Sequence, residues 1–205
     1  EAFDRQRLEI KTFDQSPEHL KIVQGETVEY KWKFKLPVGF QVSNSFTHLH
    51  QIKPVGGDES TPIFALTARK GSPNKLELSY YPTTNIGLQK LASANLSLFE
   101  GQWVEVTERF RAAVTGGSYF LEIKNLLTGD VIMNYQNNDI STYRSDNIFT
   151  RPKWGIYRSL NTPADLRDEV VLFADFSIQE LQNTITQAIY NEMQDFNLFP
   201  NPAKN

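Results

Sequence analysis

The sequence predicts an all-β chain folded as an antiparallel β-sandwich or jelly roll of the concanavalin-like kind. Two observations carry that prediction. Short runs of alternating apolar and polar residues recur along the chain, and clusters of Gly, Pro, Asn and Asp separate them. Helical periodicity is scarce by comparison, and many short strands joined by tight turns close into packed sheets. The chain has 205 residues, 40% hydrophobic and 22% charged, which fits one domain of ordinary globular usage. That domain is expected over residues 1–180, with 181–205 as a C-terminal linker or short helix.

The elements follow in order. Arg5, Arg7, Glu9 and Lys11 alternate with Leu8 and Ile10, a strand with one charged face. Pro17 to Leu20 reads as a single helical turn. Val28 to Leu36 alternates most regularly, with Tyr30, Trp32 and Phe34 on one face, three lysines on the other, and Pro37 as the stop. Further strands are expected at Phe46–Lys53, Ile63–Arg69, Lys75–Tyr81, Trp103–Ala113, Tyr119–Asn125, Val131–Tyr135, Lys153–Arg158 and Val170–Ile178. Leu88 to Ala94 is expected as a helical turn. Gln179 to Met193 is expected as either a terminal helix or a polar linker, because Ile178, Leu181, Ile185, Ile189 and Met193 fall near one helical face.

Composition excludes several classes. With 24 acidic and 21 basic side chains the net charge is −3, which argues against a nucleic-acid partner. Cysteine is absent, so disulfides, thiol catalysis and Cys-based metal sites are excluded. No apolar run approaches the roughly 18–20 residues of a membrane-spanning helix, and no membrane partner is expected. The opening Glu1-Ala2-Phe3-Asp4 is unlike a signal peptide, so the chain is expected to be cytosolic or already trimmed.

Three segments could carry chemistry. On the first strand Glu9 can hold Arg7 and Lys11 in place, and the planar fork of Arg7 suits a carboxylate. The second segment is His48-Leu49-His50-Gln51-Ile52-Lys53, which holds two of the three histidines. Strict alternation there would leave both faces mixed. A β-bulge near His50-Gln51 would instead put Leu49 and Ile52 inside and gather His48, His50, Gln51 and Lys53 outside. In the third, Lys153, Gly155 and Tyr157 share one face, and Arg158 flanks the tyrosine. Gly155 inside a strand implies close approach by a backbone or ligand, and a tyrosine between cations suits proton transfer. Arg69, Arg109 and Arg111 add positive charge. Glu105 and Glu108 fall on opposite faces, which weakens a paired-carboxylate hydrolase. No third ligand joins the histidines, so no metal is expected, and no phosphate loop or Gly-x-Ser-x-Gly elbow is present.

Together, Arg7-Leu8-Glu9-Ile10-Lys11, His48 to Lys53 and Lys153-Trp154-Gly155-Ile156-Tyr157-Arg158 resemble the motifs of polysaccharide lyases of the heparin lyase I type, β-jelly rolls related to alginate and glucuronan lyases. The resemblance covers roughly residues 3–178. It implies a concave sheet that binds an acidic polysaccharide and cleaves it by β-elimination. Alginate lyases of this fold line the cleft with Arg-x-Glu-x-Arg, Gln-Ile-His and Lys-Ala-Gly-x-Tyr strands. Arg7, Lys153 and Tyr157 match, while Lys11 replaces the second arginine. Either His48-Leu49-His50 or Gln51-Ile52-Lys53 fills the middle place.

By that resemblance Tyr157, His48, His50 and Gln51 are the catalytic candidates. Arg7, Glu9, Lys11, Lys53, Arg69, Lys153 and Arg158 are the substrate-binding ones. No cofactor is implied beyond a structural calcium, and no Asp-rich calcium loop stands out. Asn197-Leu198-Phe199-Pro200-Asn201-Pro202 resembles the opening of a type IX secretion sorting domain, cut short, which implies a secreted or surface-bound bacterial enzyme; a monomer is expected. The other class the residues allow is a non-catalytic carbohydrate-binding β-sandwich.

Overall fold

The computed structural model describes residues 4–181. Eleven strands run in chain order: β1 Arg5–Lys11, β2 Thr27–Lys35, β3 Thr47–Val55, β4 Phe64–Arg69, β5 Lys75–Tyr80, β6 Gln89–Asn95, β7 Val104–Arg111, β8 Gly117–Asn125, β9 Val131–Ile140, β10 Phe149–Ser159 and β11 Leu172–Leu181. They form a six-stranded sheet in the order β1-β10-β3-β4-β5-β6 and a five-stranded sheet in the order β11-β2-β7-β8-β9. Every pairing is antiparallel. This is the predicted β-sandwich.

The alternation of β2 explains the core. Tyr30, Trp32 and Phe34 turn inward and are buried, and Val106 and Phe110 of β7 join them from the next strand. From the six-stranded sheet Ile52, Phe64, Leu66, Leu76 and Leu78 face them. Each such side chain removed from water contributes roughly 1.5–3 kcal/mol, so the apolar face of each strand fixes which residues are left pointing outward.

Two expectations are corrected. Leu88 to Ala94 is not helical: β6 pairs with β5, where Ala92 opposes Leu78 and Ala94 opposes Leu76. That ladder supplies backbone partners and half-buries Leu91, Ala92 and Ala94 against the core, which outweighs their helix propensity. Gln179 to Leu181 continues β11 as strand, with Gln179 opposite Glu29. The rest of the expected terminal helix, and the sorting-domain run at 197–202, lie outside the described residues.

Candidate active site

Register builds the site. Reading across the outer face of the six-stranded sheet, Arg7 opposes Tyr157, Tyr157 opposes His48, His48 opposes Thr67 and Thr67 opposes Glu77. A second row runs Lys11, Lys153, Gln51, Ala65 and Ser79. Neighbouring strands stand about 4.8 Å apart, so each row gathers residues distant in sequence into one band. His48, Gln51, Thr67, Glu77 and Lys153 are all buried although they face away from the core.

A bulge in β3 decides which residues belong. His48 opposes Thr67 and His50 opposes the next residue, Leu66, so one extra residue is accommodated there. Leu49 and His50 both turn inward, and Gln51 returns to the outer face. His50 therefore does not join the outer-face group, contrary to expectation. Its ring packs 4.4 Å from that of Trp32, with Nε2 2.8 Å from Glu108 Oε2. The bulge lies one residue earlier than the sequence pattern suggests, and that single step sends His50 to the core.

Tyr157 is held from several sides. Arg5 Nη1 donates to its phenolic oxygen at 3.1 Å, and the Arg7 guanidinium lies 4.7 Å from its ring centroid. The rings of Phe46, Tyr157 and His48 form a triangle, with Phe46 5.0 Å from Tyr157 and 4.8 Å from His48, and the His48 and Tyr157 centroids 5.8 Å apart. His48 Nδ1 is 2.7 Å from the Thr67 hydroxyl. Burial above all, then Arg69, Lys153 and Lys53, pushes the His48 pKa down to about 3. The imidazole is thus neutral at physiological pH.

Next to this pair, Glu9 accepts hydrogen bonds from Gln51 Nε2 and, at 3.4 Å, from Lys153 Nζ. Burial lowers the Lys153 pKa against the opposing pull of Glu9. Lys53 donates to the Glu59 carbonyl, and burial followed by Lys153 brings its pKa down to about 8. Arg69 lies farther along the face, paired with Glu77 at 3.2 Å, and Lys90 reaches the same carboxylate at 2.5 Å. Lys11 is exposed at the sheet edge.

Arg158 is the second correction. It is buried on the opposite face from Tyr157, with Nε and Nη2 on the Gln6 side-chain oxygen and Nη1 on the Arg167 carbonyl, so it braces β1 and takes no part in the outer-face group. Sequence reasoning passed over Arg5, Phe46 and Thr67 as site residues. Period two places Arg5 beside Arg7, but nothing local in the sequence marks Thr67. Among the described residues no group of three or more His, Cys, Asp or Glu side chains is arranged to hold a metal. No described helix is long and apolar enough to cross a membrane.

No protein-family model and no curated protein matches this sequence. Solved structures do match in fold. An endo-β-1,4-glucuronan lyase from the fungus Trichoderma reesei is 16% identical with a TM-score of 0.57, over 85% of this chain and 74% of that one. An alginate lyase from Pseudomonas aeruginosa is 11% identical with a TM-score of 0.49, over 77% and 66%. The receptor binding domain of botulinum neurotoxin mosaic serotype C/D is 18% identical with a TM-score of 0.45, over 82% and 36%.

Proposed function

We propose that this protein is a polysaccharide lyase that cleaves a uronate-containing polymer by β-elimination. The observation that carries the reading is the setting of Tyr157: a phenolic oxygen under Arg5, with Arg7 over the ring and neutral His48 alongside. It stands on the same face as the donor group of Gln51, Lys153 and Lys53.

In the proposed reaction the uronate carboxylate meets Gln51, Lys153 and Lys53. Their charge and N–H groups neutralise it and stabilise the enolate-like transition state formed when the C5 proton leaves. The electron pair of the C5–H bond becomes the C4–C5 double bond as the C4–oxygen bond breaks, and the leaving oxygen takes a proton. An imidazole whose pKa lies near 3 accepts protons poorly. We therefore assign both transfers to Tyr157, which removes the C5 proton as phenolate and returns it to the leaving oxygen on the same face. Arg5 supplies positive charge beside the oxygen that must carry the negative one, and Arg7 adds a second cation over the ring. Glu9 orients Gln51 and Lys153, and His48 helps position the substrate as a neutral hydrogen-bonding group. Fold similarity to a glucuronan lyase supports a β-1,4-linked glucuronate polymer as the first substrate to try. The run at 197–202 supports a secreted or surface location.

The test is ultraviolet absorbance during incubation with glucuronan, another glucuronate-containing glycan, alginate and a sulfated glycosaminoglycan, since the eliminated uronate is conjugated. A rise on one polymer is expected, with Tyr157→Phe reducing turnover by about 10²-fold or more and leaving polymer binding largely intact. A fully active Tyr157→Phe enzyme would sink the assignment of the tyrosine. Binding with a flat trace on every polymer would replace the lyase reading with that of a carbohydrate-binding sandwich.

A further inference from the structure

Beneath the cleft lies a second group of ionisable side chains that the proposed reaction does not use. His50 and Glu108 are buried between the sheets. His50 Nε2 is 2.8 Å from Glu108 Oε2, and the Tyr119 hydroxyl donates to Glu108 Oε1 at 2.6 Å. Burial, reinforced by the Glu108 carboxylate, raises the Tyr119 pKa well above the ordinary phenol value, so Tyr119 keeps its proton and donates it. The other imidazole nitrogen, His50 Nδ1, is 3.0 Å from the Lys153 carbonyl oxygen.

The protons can be placed from this geometry. A carbonyl only accepts, so Nδ1 carries a hydrogen and donates it to Lys153. The Nε2–Oε2 contact then holds one proton between imidazole and carboxylate. The chain Tyr119–Glu108–His50 thus ends on the backbone of β10 at the residue whose side chain enters the cleft. Trp32 and Trp154 flank the imidazole at 4.4 and 5.3 Å and fix its plane.

We infer that His50, Glu108 and Tyr119 form a positioning network that fixes the Lys153 carbonyl and, through it, the spacing of Lys153 and Tyr157 in the cleft. The location supports this. The pairing of β10 with β3 is regular up to Trp154 opposite His50 and shifts before Tyr157 meets His48. The ladder is therefore irregular between the two cleft residues, and a side-chain donor at Lys153 anchors the strand on one side of the irregularity. The kinetic consequence rests on the lyase reading above; the structural one does not.

The test compares His50→Asn with His50→Gln in the full chain. Counted in bonds from Cα, the asparagine amide nitrogen stands where Nδ1 does and the glutamine nitrogen where Nε2 does. His50→Asn keeps the donor to Lys153 and is expected to retain most of kcat. His50→Gln keeps the contact to Glu108 but loses that donor. It is expected to lower kcat roughly ten- to a hundredfold, as a displaced catalytic group does, with KM within about twofold. Tyr119→Phe, which removes one hydroxyl, is expected to give a smaller loss of kcat.

Independently of turnover, the carbon-13 resonance of the Lys153 carbonyl and the ring resonances of Tyr157 should move in His50→Gln and stay in place in His50→Asn. If they move while the wild type eliminates no polymer, the positioning network stands and the lyase reading falls. Unmoved resonances in His50→Gln, or equal kcat for the two variants, would overturn the inference.

Discussion

At the scale of single residues, Lys53 gives the sharpest handle on the cleft. A lysine in water stays charged far above neutrality, but burial and the neighbouring Lys153 bring this one down to about 8. It is a cation at pH 7 and mostly neutral at pH 9. If it neutralises a uronate carboxylate, bound polymer favours its charged form and binding near pH 8 takes up a proton. KM is therefore expected to rise as pH passes through about 8, by up to roughly tenfold at pH 9 if this charge is essential to binding. Lys53→Arg, charged throughout, should lose that inflection whatever its absolute KM, since arginine changes the geometry as well. Initial rates across substrate concentrations from pH 6.5 to 9.5 would read this directly, and an inflection that persists in Lys53→Arg would remove Lys53 from carboxylate recognition.

At the scale of elements, β10 and its neighbours govern the site, and here the sequence was legible in part. Alternation places Tyr30, Trp32 and Phe34 on one face of their strand, Arg7 with Glu9 on one face of theirs, and Lys153 with Tyr157 on one face of theirs, because strand period is a local property of the chain; the register of β1 with β10 brings the last two pairs together. The bulge in β3 was foreseeable from the mixed faces of His48 to Lys53. Its position was not, because which residue is accommodated depends on the partner strand, here Leu66 opposite His50. The same limit hid β6, whose strand state comes from pairing with β5, and Thr67, which becomes a site residue only through its register with His48.

Gly155 was legible, and the structure supplies the reason. Its φ is +144°, and a Cβ there would meet the Leu8 carbonyl oxygen at 2.1 Å and Glu9 Cα at 2.8 Å. Gly155→Ala should therefore push the edge strand β1 off β10 and carry Arg5 and Arg7 away from Tyr157. A cost of about 2 kcal/mol or more corresponds to a melting temperature lower by roughly 4–8 °C or more, together with faster hydrogen exchange confined to β1 and its pairing with β10. Unchanged exchange in β1 would show that the close approach is not what the glycine permits.

At the scale of the whole molecule, the two sheets bury an apolar core on one side of the six-stranded sheet and a polar band on the other, and the second ties stability to pH. His48 in the unfolded chain takes a proton below its ordinary value of 6.5, whereas in the fold it stays neutral until about 3. Between those values the unfolded state binds the extra proton, so stability is full above pH 6.5 and declines as pH falls through the window. At pH 4.5 the loss from this one residue is about 2–3 kcal/mol, a drop of roughly 5–10 °C in melting temperature for a domain of this size. Carboxylates titrate over part of the same range, but they are common to wild type and to His48→Gln. The difference in melting temperature between pH 7 and pH 4.5 should consequently be smaller in His48→Gln by about that amount, even if the variant starts from a lower value. Parallel decline in the two proteins would mean that His48 is protonated in the fold as readily as in water. In that case its neutral role beside Tyr157 would have to be given up, and proton abstraction by the imidazole reconsidered.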